Sequence, residues 1–183
     1  MKIMIPLAEG FEETEAITII DLLRRAQIEA ITFSLTKEKL VKGSHDIYVQ
    51  ADFAINEIKK EDFSGIVLPG GMPGSIHLRD SDEIIDFINY FNSKNLLTAA
   101  ICAAPIALNK AGVLKGKSAC CYPGIENQLT DVIISNDGVC IDGNIITAKG
   151  IAFTISFSLE IIKFLVGEET ANKISAGILW ENI

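Results

Sequence analysis

The sequence predicts an α/β sandwich, in which helices cover both faces of a mainly parallel β-sheet. Three observations favour this fold class. Short apolar stretches alternate along the chain with segments that show helical periodicity. Several of these stretches, such as 97–101, consist almost entirely of apolar and small residues, as expected of strands buried on both faces. The dipeptide Asp142-Gly143 is a strong turn signal, which predicts an antiparallel hairpin near the C-terminus.

The first half of the chain is predicted to alternate strands with two helices. Segment 12–26 has an apolar face and ends in Arg24 and Arg25, whose positive charges favour the C-terminal end of a helix. A second helix is expected to begin with a capping box, in which Asp80 is the cap and an acid follows three residues later. The polar segment 36–46 is predicted to be a loop or a hairpin. We expect strands at 2–7, 29–35, 47–49, 51–53 and 63–68.

The second half of the chain is predicted to combine helices with short strands. The strand at 97–101 leads into a helix that begins at Pro105, because proline suits the first helical turn, and that ends at Gly112. Further strands are expected at 118–122, 132–135, 139–141 and 145–148, and two final helices at 153–166 and 168–179.

Length, composition and charge restrict the classes of protein. A chain of 183 residues with 49% hydrophobic and 22% charged residues fits a single globular domain over 1–183. The net charge of −8 argues against a nucleic acid partner. Neither a signal peptide nor an apolar run of about 18 residues is found, so a cytoplasmic protein without a membrane partner is expected. The four cysteines and two histidines show no zinc-ligand spacing, and no metal is expected.

Cys102 is the residue on which the functional prediction depends. It follows a predicted strand directly, and the small residues Ala103 and Ala104 separate it from the helix that begins at Pro105. This order is typical of a nucleophile elbow, a sharp strand-to-helix turn that presents a reactive side chain at the sheet edge. The adjacent helix N-terminus is expected to favour the thiolate. The alternative is a buried cysteine that only packs in the core.

Two further segments are expected to meet Cys102, because the carboxyl ends of parallel strands share one edge of a sheet. Glu15 follows the first strand, and a buried carboxyl group there would tend to be protonated, to hydrogen-bond the thiolate and to act as a general acid or base. Gly70 and Gly71 follow another strand, and the N–H groups of Gly71 and Ala103 could form an oxyanion hole. The preference of acids for a helix N-terminus is a sufficient explanation for Glu12 and Glu13, and it is the alternative for Glu15. The alternative for Gly70 and Gly71 is a simple glycine turn.

Three motifs, taken together and in this order, resemble the ThiJ/PfpI superfamily, in particular its branch that contains the parkinsonism-associated deglycase. They are Glu9–Glu15 followed by Arg24-Arg25-Ala26, Val67–Gly71, and Ala99–Pro105. The resemblance implies a flavodoxin-like three-layer sandwich and a homodimer. It also implies that Cys102 is a reactive cysteine that oxidises readily to a sulfinate, that Glu15 hydrogen-bonds it, and that Gly71 and Ala103 supply backbone donors.

The sequence departs from the family's pattern at several positions. Ala103 stands where the protease-like branch has a histidine, which argues against a Cys-His peptidase. Tyr122 stands where the deglycase branch has a histidine, so that proton transfer would depend on Glu15 alone or with Tyr122. His45 stands where that branch often has an arginine near an anion site, and the alternative is a surface histidine. Gly70, Tyr122 and His45 are therefore the candidates for the pocket.

Other residues receive structural interpretations. Cys120, Cys121 and Cys140 are expected to be structural, with at least one of Cys120 and Cys121 in the core and Cys140 in the hairpin. His77 follows the glycine loop and could line the pocket, but it is expected to be an exposed loop histidine. Segment 150–154 differs from the family's usual pattern and is expected to narrow the pocket.

These residues predict an enzyme that needs no cofactor and acts on a small carbonyl substrate. The Cys102 thiolate would attack the aldehyde of a 2-oxoaldehyde such as methylglyoxal, and Glu15 would move the proton. This is glutathione-independent glyoxalase chemistry, and it would extend to a deglycase acting on early glycation adducts. The alternative is an oxidation-sensing, stress-linked chaperone whose cysteine forms a sulfinate. Nucleotide binding is disfavoured because no GxGxxG or P-loop pattern occurs.

Overall fold

The protein is built from eleven β-strands and six α-helices, within residues 1–180 that the computed structural model describes. The strands are β1 (Lys2–Leu7), β2 (Glu29–Ser34), β3 (Leu40–Lys42), β4 (Tyr48–Gln50), β5 (Phe53–Ala54), β6 (Gly65–Leu68), β7 (Leu97–Ile101), β8 (Ser118–Ala119), β9 (Ile133–Ile134), β10 (Val139–Asp142) and β11 (Ile145–Ala148). The helices are α1 (Glu13–Arg25), α2 (Gly74–Asp80), α3 (Asp82–Ser93), α4 (Pro105–Lys110), α5 (Thr154–Val166) and α6 (Glu168–Gly177).

A seven-stranded sheet forms the centre of the protein, with the strand order β10-β11-β7-β6-β1-β2-β5. Its pairs are parallel except β10 with β11, which form the predicted C-terminal hairpin. The five longest parallel strands follow the flavodoxin-like order 2-1-3-4-5, and the order reverses between β1 and β6. Ligands bind such sheets at the carboxyl ends of the strands beside this reversal. The predicted fold class is confirmed.

Two apolar layers flank the sheet, and the side chains of β1 alternate between them. Ile3 and Ile5 belong to the layer formed with α1, α5 and α6, whereas Met4 belongs to the layer formed with α2, α3 and α4. All three side chains are fully buried. Burial of an aliphatic side chain of this size contributes roughly 1.5–3 kcal/mol. Strand β1, which leads to the segment that contains Glu15, is thus packed on both of its faces.

The start of α3 differs from the predicted capping box. Asp80 is the last residue of α2, and Ser81 is the cap of α3, its hydroxyl accepting a hydrogen bond from the N–H of Ile84 at 3.3 Å. Helix α2 has no counterpart in the prediction, because seven residues with two large apolar side chains give no helical periodicity. Two residues that both suit the cap position stand side by side here, and the prediction selects the wrong one.

The remaining differences concern short strands. The segment 36–46 contains β3, which pairs with β4 in an antiparallel hairpin, so the hairpin alternative is correct. The strand predicted at 118–122 is limited to β8, which pairs with β9 outside the central sheet. None of the described helices is long and apolar enough to cross a membrane.

Candidate functional site

Cys102 lies on a strained turn between β7 and α4. Its φ angle is +62°. This is a left-handed conformation that costs a residue other than glycine about 1–3 kcal/mol. Two backbone hydrogen bonds hold the turn: the N–H of Cys102 donates to the carbonyl of Ala148 at 2.9 Å, and the N–H of Tyr122 donates to the carbonyl of Cys102 at 2.8 Å. This geometry is that of a nucleophile elbow, with the thiol at the carboxyl edge of the sheet.

Glu15 supplies a buried carboxyl group beside this thiol. It lies in the first turn of α1 and is 1% exposed. Its Oε2 atom accepts a hydrogen bond from the N–H of Gly70 at 2.9 Å, and its side chain hydrogen-bonds the Cys102 thiol. Burial, together with the negative charge of Glu12, raises the pKa of Glu15 to about 7, although the hydrogen bond from Gly70 opposes this change. A carboxyl group with this pKa is suited to exchange protons near neutral pH.

The Cys102 thiol holds its proton more tightly than an ordinary cysteine does. Burial and the negative charge of Glu15 raise the pKa of Cys102 to about 12, while the N–H groups of Gly71 and Ala103, which donate to the sulfur, act in the opposite direction. The prediction that the helix N-terminus favours the thiolate is therefore wrong for the resting site. Helix α4 has only six residues, and burial is the largest cause of the change in the pKa of Cys102. A reaction at this sulfur needs a base, and Glu15 is adjacent to it.

The glycine loop after β6 passes very close to both side chains. A Cβ atom at Gly70 would lie 2.5 Å from the Cβ of Cys102 and 2.5 Å from Oε2 of Glu15. Gly71 has a φ angle of +96°, and a Cβ atom there would lie 2.3 Å from the backbone nitrogen of Glu12. The N–H of Glu12 donates to the carbonyl of Gly70 at 2.8 Å. Only glycine fits at these two positions, and the loop is held against α1.

An open depression of about 280 Å³ leads to the sulfur. Cys102 is half-buried, and Tyr122 is exposed on the wall. Tyr122 and His45, two of the three predicted pocket residues, line the depression, whereas Gly70 lies behind the sulfur next to Glu15. The complete lining is Glu12, Ser44, His45, Gly71, Met72, Cys102, Ala103, Tyr122 and Ile125.

His45 reaches the depression from the β3–β4 hairpin, and Glu13 of α1 holds it there. The Nδ1 atom of His45 lies 2.9 Å from Oε2 of Glu13, and the N–H of His45 donates to Oε1 at 2.7 Å. Burial opposes the ionisation of Glu13, but the hydrogen bonds from His45 prevail and lower the pKa of Glu13 to about 2. The prediction treats Glu13 only as an acid at a helix N-terminus, because no sequence signal joins it to a residue 32 positions away.

Donor atoms of Glu12, Glu13 and His45 lie within 4.8 Å of one another. The hydrogen bonds between Glu13 and His45 account for this cluster, and we assign no metal to it.

Segment 150–154 passes behind the sulfur without filling the depression. A Cβ atom at Gly150 would lie 3.9 Å from Sγ of Cys102 and 3.8 Å from Oε1 of Glu15. The ring of Phe153 packs instead against Gly138, where a Cβ atom would come within 2.0 Å of it. No side chain of this segment belongs to the lining that the described residues form. That the segment narrows the pocket relative to the family's usual pattern stays a prediction.

The other cysteines and His77 lie apart from this depression. Cys120, Cys121 and Cys140 are all buried, in agreement with the structural roles predicted for them. His77 is exposed as expected, but it lies on α2 rather than in a loop, and it borders a different depression.

The site combines a cysteine elbow, a buried glutamate and a close glycine loop at one edge of a flavodoxin-like sheet. These features define a class of α/β proteins whose functional site is built around a cysteine. The chain belongs to the DJ-1/PfpI family, because the model of that family matches residues 1–164. The predicted membership of the ThiJ/PfpI superfamily is thereby confirmed.

Individual relatives are similar to this chain over nearly its whole length. Protein DJ-1alpha of Drosophila melanogaster is 38% identical over 180 residues, which cover 97% of this chain and 83% of that protein. Oxidized Toxoplasma gondii DJ-1 has a similar structure, with a TM-score of 0.93, 36% identity and 97% of each chain covered. Protein DJ-1 homolog B of Arabidopsis thaliana is 33% identical over 97% of this chain, which spans 41% of that longer protein.

Proposed function

We propose that the protein is a cysteine-dependent, cofactor-free enzyme that converts 2-oxoaldehydes such as methylglyoxal, or early glycation adducts, to 2-hydroxy acids. The observation that carries the proposal is the contact between the Cys102 thiol and the buried Glu15 carboxyl group. The thiol supplies a nucleophile, and a carboxyl group with a pKa of about 7 supplies the base beside it. Membership of the DJ-1/PfpI family supports a DJ-1-like function.

The proposed reaction begins with attack of the Cys102 sulfur on the aldehyde carbon. The thiol proton passes to Glu15, a C–S bond forms, and the aldehyde oxygen takes up a proton from a separate donor to become a hydroxyl, which gives a hemithioacetal. Glu15 then releases the thiol proton to solvent, so that its carboxylate can act as a base again. The N–H groups of Gly71 and Ala103 donate to the sulfur, so they stabilise the negative charge that collects on it as the proton leaves. A base that works near neutral pH is needed at this step because the free thiol is a weak acid.

The second stage moves hydrogen from the former aldehyde carbon to the ketone carbon beside it. Removal of the C–H proton gives an enediolate, the hydroxyl proton moves to the former ketone oxygen, and protonation of the neighbouring carbon gives a 2-hydroxy thioester. Water then breaks the C–S bond, which releases the 2-hydroxy acid and restores the thiol. The net change is the addition of one water molecule. Glu15 carries the proton between the carbons in this proposal, because its carboxyl group contacts the sulfur that holds the substrate.

The size of the depression supports a substrate of this class. Methylglyoxal is small compared with about 280 Å³, and the opening leaves space for the larger side chain of a glycated adduct. Cys102 is half-buried and lines that opening.

Lactate formation from methylglyoxal without glutathione tests the proposal. The wild type should form lactate, and Cys102→Ser and Glu15→Gln should each lower the rate by roughly 100-fold or more, because one lacks the nucleophile and the other the base. Cys140→Ala removes a thiol from β10, away from the site, and is the matched control that should retain activity. Equal rates in the wild type and Cys102→Ser, or no lactate from the wild type, would refute the proposal.

An oxidation-sensing, stress-linked chaperone is the second candidate. The two N–H groups that donate to the sulfur favour it, because they could also bind the oxygen atoms of a sulfinate. Each sulfinate would consume two molecules of peroxide, which are reduced to water. Intact mass after mild peroxide treatment distinguishes this candidate: a gain of two oxygen atoms that disappears in Cys102→Ser supports it. An unmodified Cys102 would reject it.

We also propose that the protein forms a homodimer. Large apolar side chains are exposed on α1 at Ile17 and on the neighbouring hairpin segment at Ile47 and Tyr48. Clustered exposed apolar side chains are typical of protein interfaces. A monomeric mass in size-exclusion chromatography with light scattering would contradict this assignment.

A further inference from the structure

The mouth of the Cys102 depression carries an ion pair that the proposed reaction leaves unused. His45 lines the depression together with Cys102 and Tyr122. Its Nδ1 atom is 2.9 Å from Oε2 of Glu13. Among residues 1–180, no hydrogen bond uses the other ring nitrogen, Nε2, and 70% of the side chain is exposed. One nitrogen of the imidazole is therefore fixed, and the other is free to meet a bound molecule.

Glu13 is held in the fold so that its carboxylate positions the His45 ring. Its side chain is only 5% exposed. Its carboxylate accepts hydrogen bonds from the backbone N–H groups of His45 and Ile47 at 2.7 and 3.4 Å and from the hydroxyl of Ser44 at 3.3 Å. A Cβ atom at Gly43 would lie 2.2 Å from Oε1 of Glu13, so only glycine leaves room for the carboxylate. The arrangement fixes both the position and the orientation of the His45 ring.

A carboxylate that accepts a hydrogen bond from Nδ1–H commonly prepares a histidine for proton transfer. It holds the proton on Nδ1, leaves Nε2 as the working atom and stabilises the imidazolium when that atom takes up a proton. Glu15 is buried beneath the sulfur, whereas His45 stands at the open side of the depression. The site thus has one proton-transfer group below the sulfur and a second at the mouth.

We propose that His45 is the second proton-transfer residue of the Cys102 site, and that Glu13 is its positioning residue; this inference rests on the proposed function. As Cys102 attacks, Nε2–H of His45 donates its proton to the aldehyde oxygen, which becomes the hemithioacetal hydroxyl. When water later attacks the thioester, the neutral Nε2 accepts a proton from that water. The imidazolium is thereby restored, and the protons balance over one turnover.

The charges around the ring agree with this cycle. Glu13 through its hydrogen bond, and then the charges of Glu12 and Asp46, raise the pKa of His45. Glu12 and Glu13 belong to α1, Asp46 lies on the hairpin segment next to His45, and Oε1 of Glu12 is 3.9 Å from Nδ1. Besides Glu12, the titratable groups that line the depression together with His45 are Cys102 and Tyr122. A proton donor is therefore available in a larger fraction of molecules at neutral pH than an ordinary histidine would provide.

The test compares His45→Gln with His77→Gln, the matched control, because His77 is also an exposed histidine but borders a different depression. Conversion of methylglyoxal to lactate is measured between about pH 5.5 and pH 8.5. His45→Gln should lower kcat by roughly 100-fold with little change in KM and should remove the alkaline limb of the pH profile. Glu13→Gln should move that limb to lower pH, because the ring then loses its carboxylate. His77→Gln should behave as the wild type does.

Added imidazole separates proton transfer from a structural role. His45→Ala opens space at the mouth of the depression, and free imidazole should restore part of its kcat. An unchanged kcat and pH profile in His45→Gln would overturn the inference while lactate formation that depends on Cys102 keeps the proposed function intact. A loss of activity that imidazole does not relieve and that leaves the pH profile unchanged would also overturn it. No lactate from the wild type would overturn both.

Discussion

As the pH rises, the free energy of unfolding of Glu15→Gln should increase relative to that of the wild type. Burial raises the pKa of this carboxyl group from 4.5 to about 7 in the folded protein. The folded state therefore holds the proton more tightly than the unfolded chain does. The stability that Glu15 contributes is complete below pH 4.5 and is lost as the pH rises through about 7. The difference between the two pKa values corresponds to about 3 kcal/mol in the free energy of unfolding.

Urea unfolding from about pH 4.5 to about pH 8.5 measures this effect. The quantity to follow is the difference in the free energy of unfolding between the wild type and Glu15→Gln, since most other titrating groups cancel in it. This difference should change by about 3 kcal/mol in favour of Glu15→Gln. The same change is expected in a Cys102→Ser background, because burial rather than the thiol is the main cause. A difference that stays constant over this range would refute the reasoning.

Three further substitutions test separate features of the structure. Gly70→Ala should lower the free energy of unfolding by about 1–3 kcal/mol in urea titrations, because its Cβ would overlap the Cβ of Cys102, whereas Gly177→Ala has open space and should not. Cys102→Gly should be more stable than Cys102→Ala by about 1 kcal/mol, because glycine relieves the positive φ angle, and the reverse order in the same titrations would contradict strain at the elbow. Ser81→Ala should cost about 1 kcal/mol, and more than Asp80→Ala does, because Ser81 caps α3; equal losses would argue against this cap.

The position of the site could be predicted because it depends on strand ends. Leu97–Ile101 is apolar enough to indicate a buried parallel strand, and Cys102 and Pro105 mark its turn into a helix. Parallel strands end at one sheet edge, so Glu15 and Gly70 could be brought to the same edge before any contact between them was known. Residue type, spacing and topology suffice for this part of the molecule.

Properties that depend on burial and on distant contacts could not be predicted. The pKa of the Cys102 thiol depends on how far the sulfur lies from solvent, and a short helix next to it suggested the opposite direction. The contact between Glu13 and His45 arises only because the β3–β4 hairpin folds against α1. The choice of Ser81 over Asp80 as a cap depends on where α2 ends. Each of these outcomes is decided by packing and not by local residue type.

The chain segments around the sulfur follow β1, β6 and β7, which are neighbours in the sheet but lie far apart in the chain. Parallel neighbours cannot be joined by a tight turn, so each pairing has to close a long loop of chain first, and such pairings form slowly. Until all three strands are aligned, Cys102 has neither the carboxyl group nor the two N–H donors and is an ordinary thiol. Newly synthesised or misassembled chains therefore lack the site altogether, and the chemistry of this cysteine reports that folding is complete.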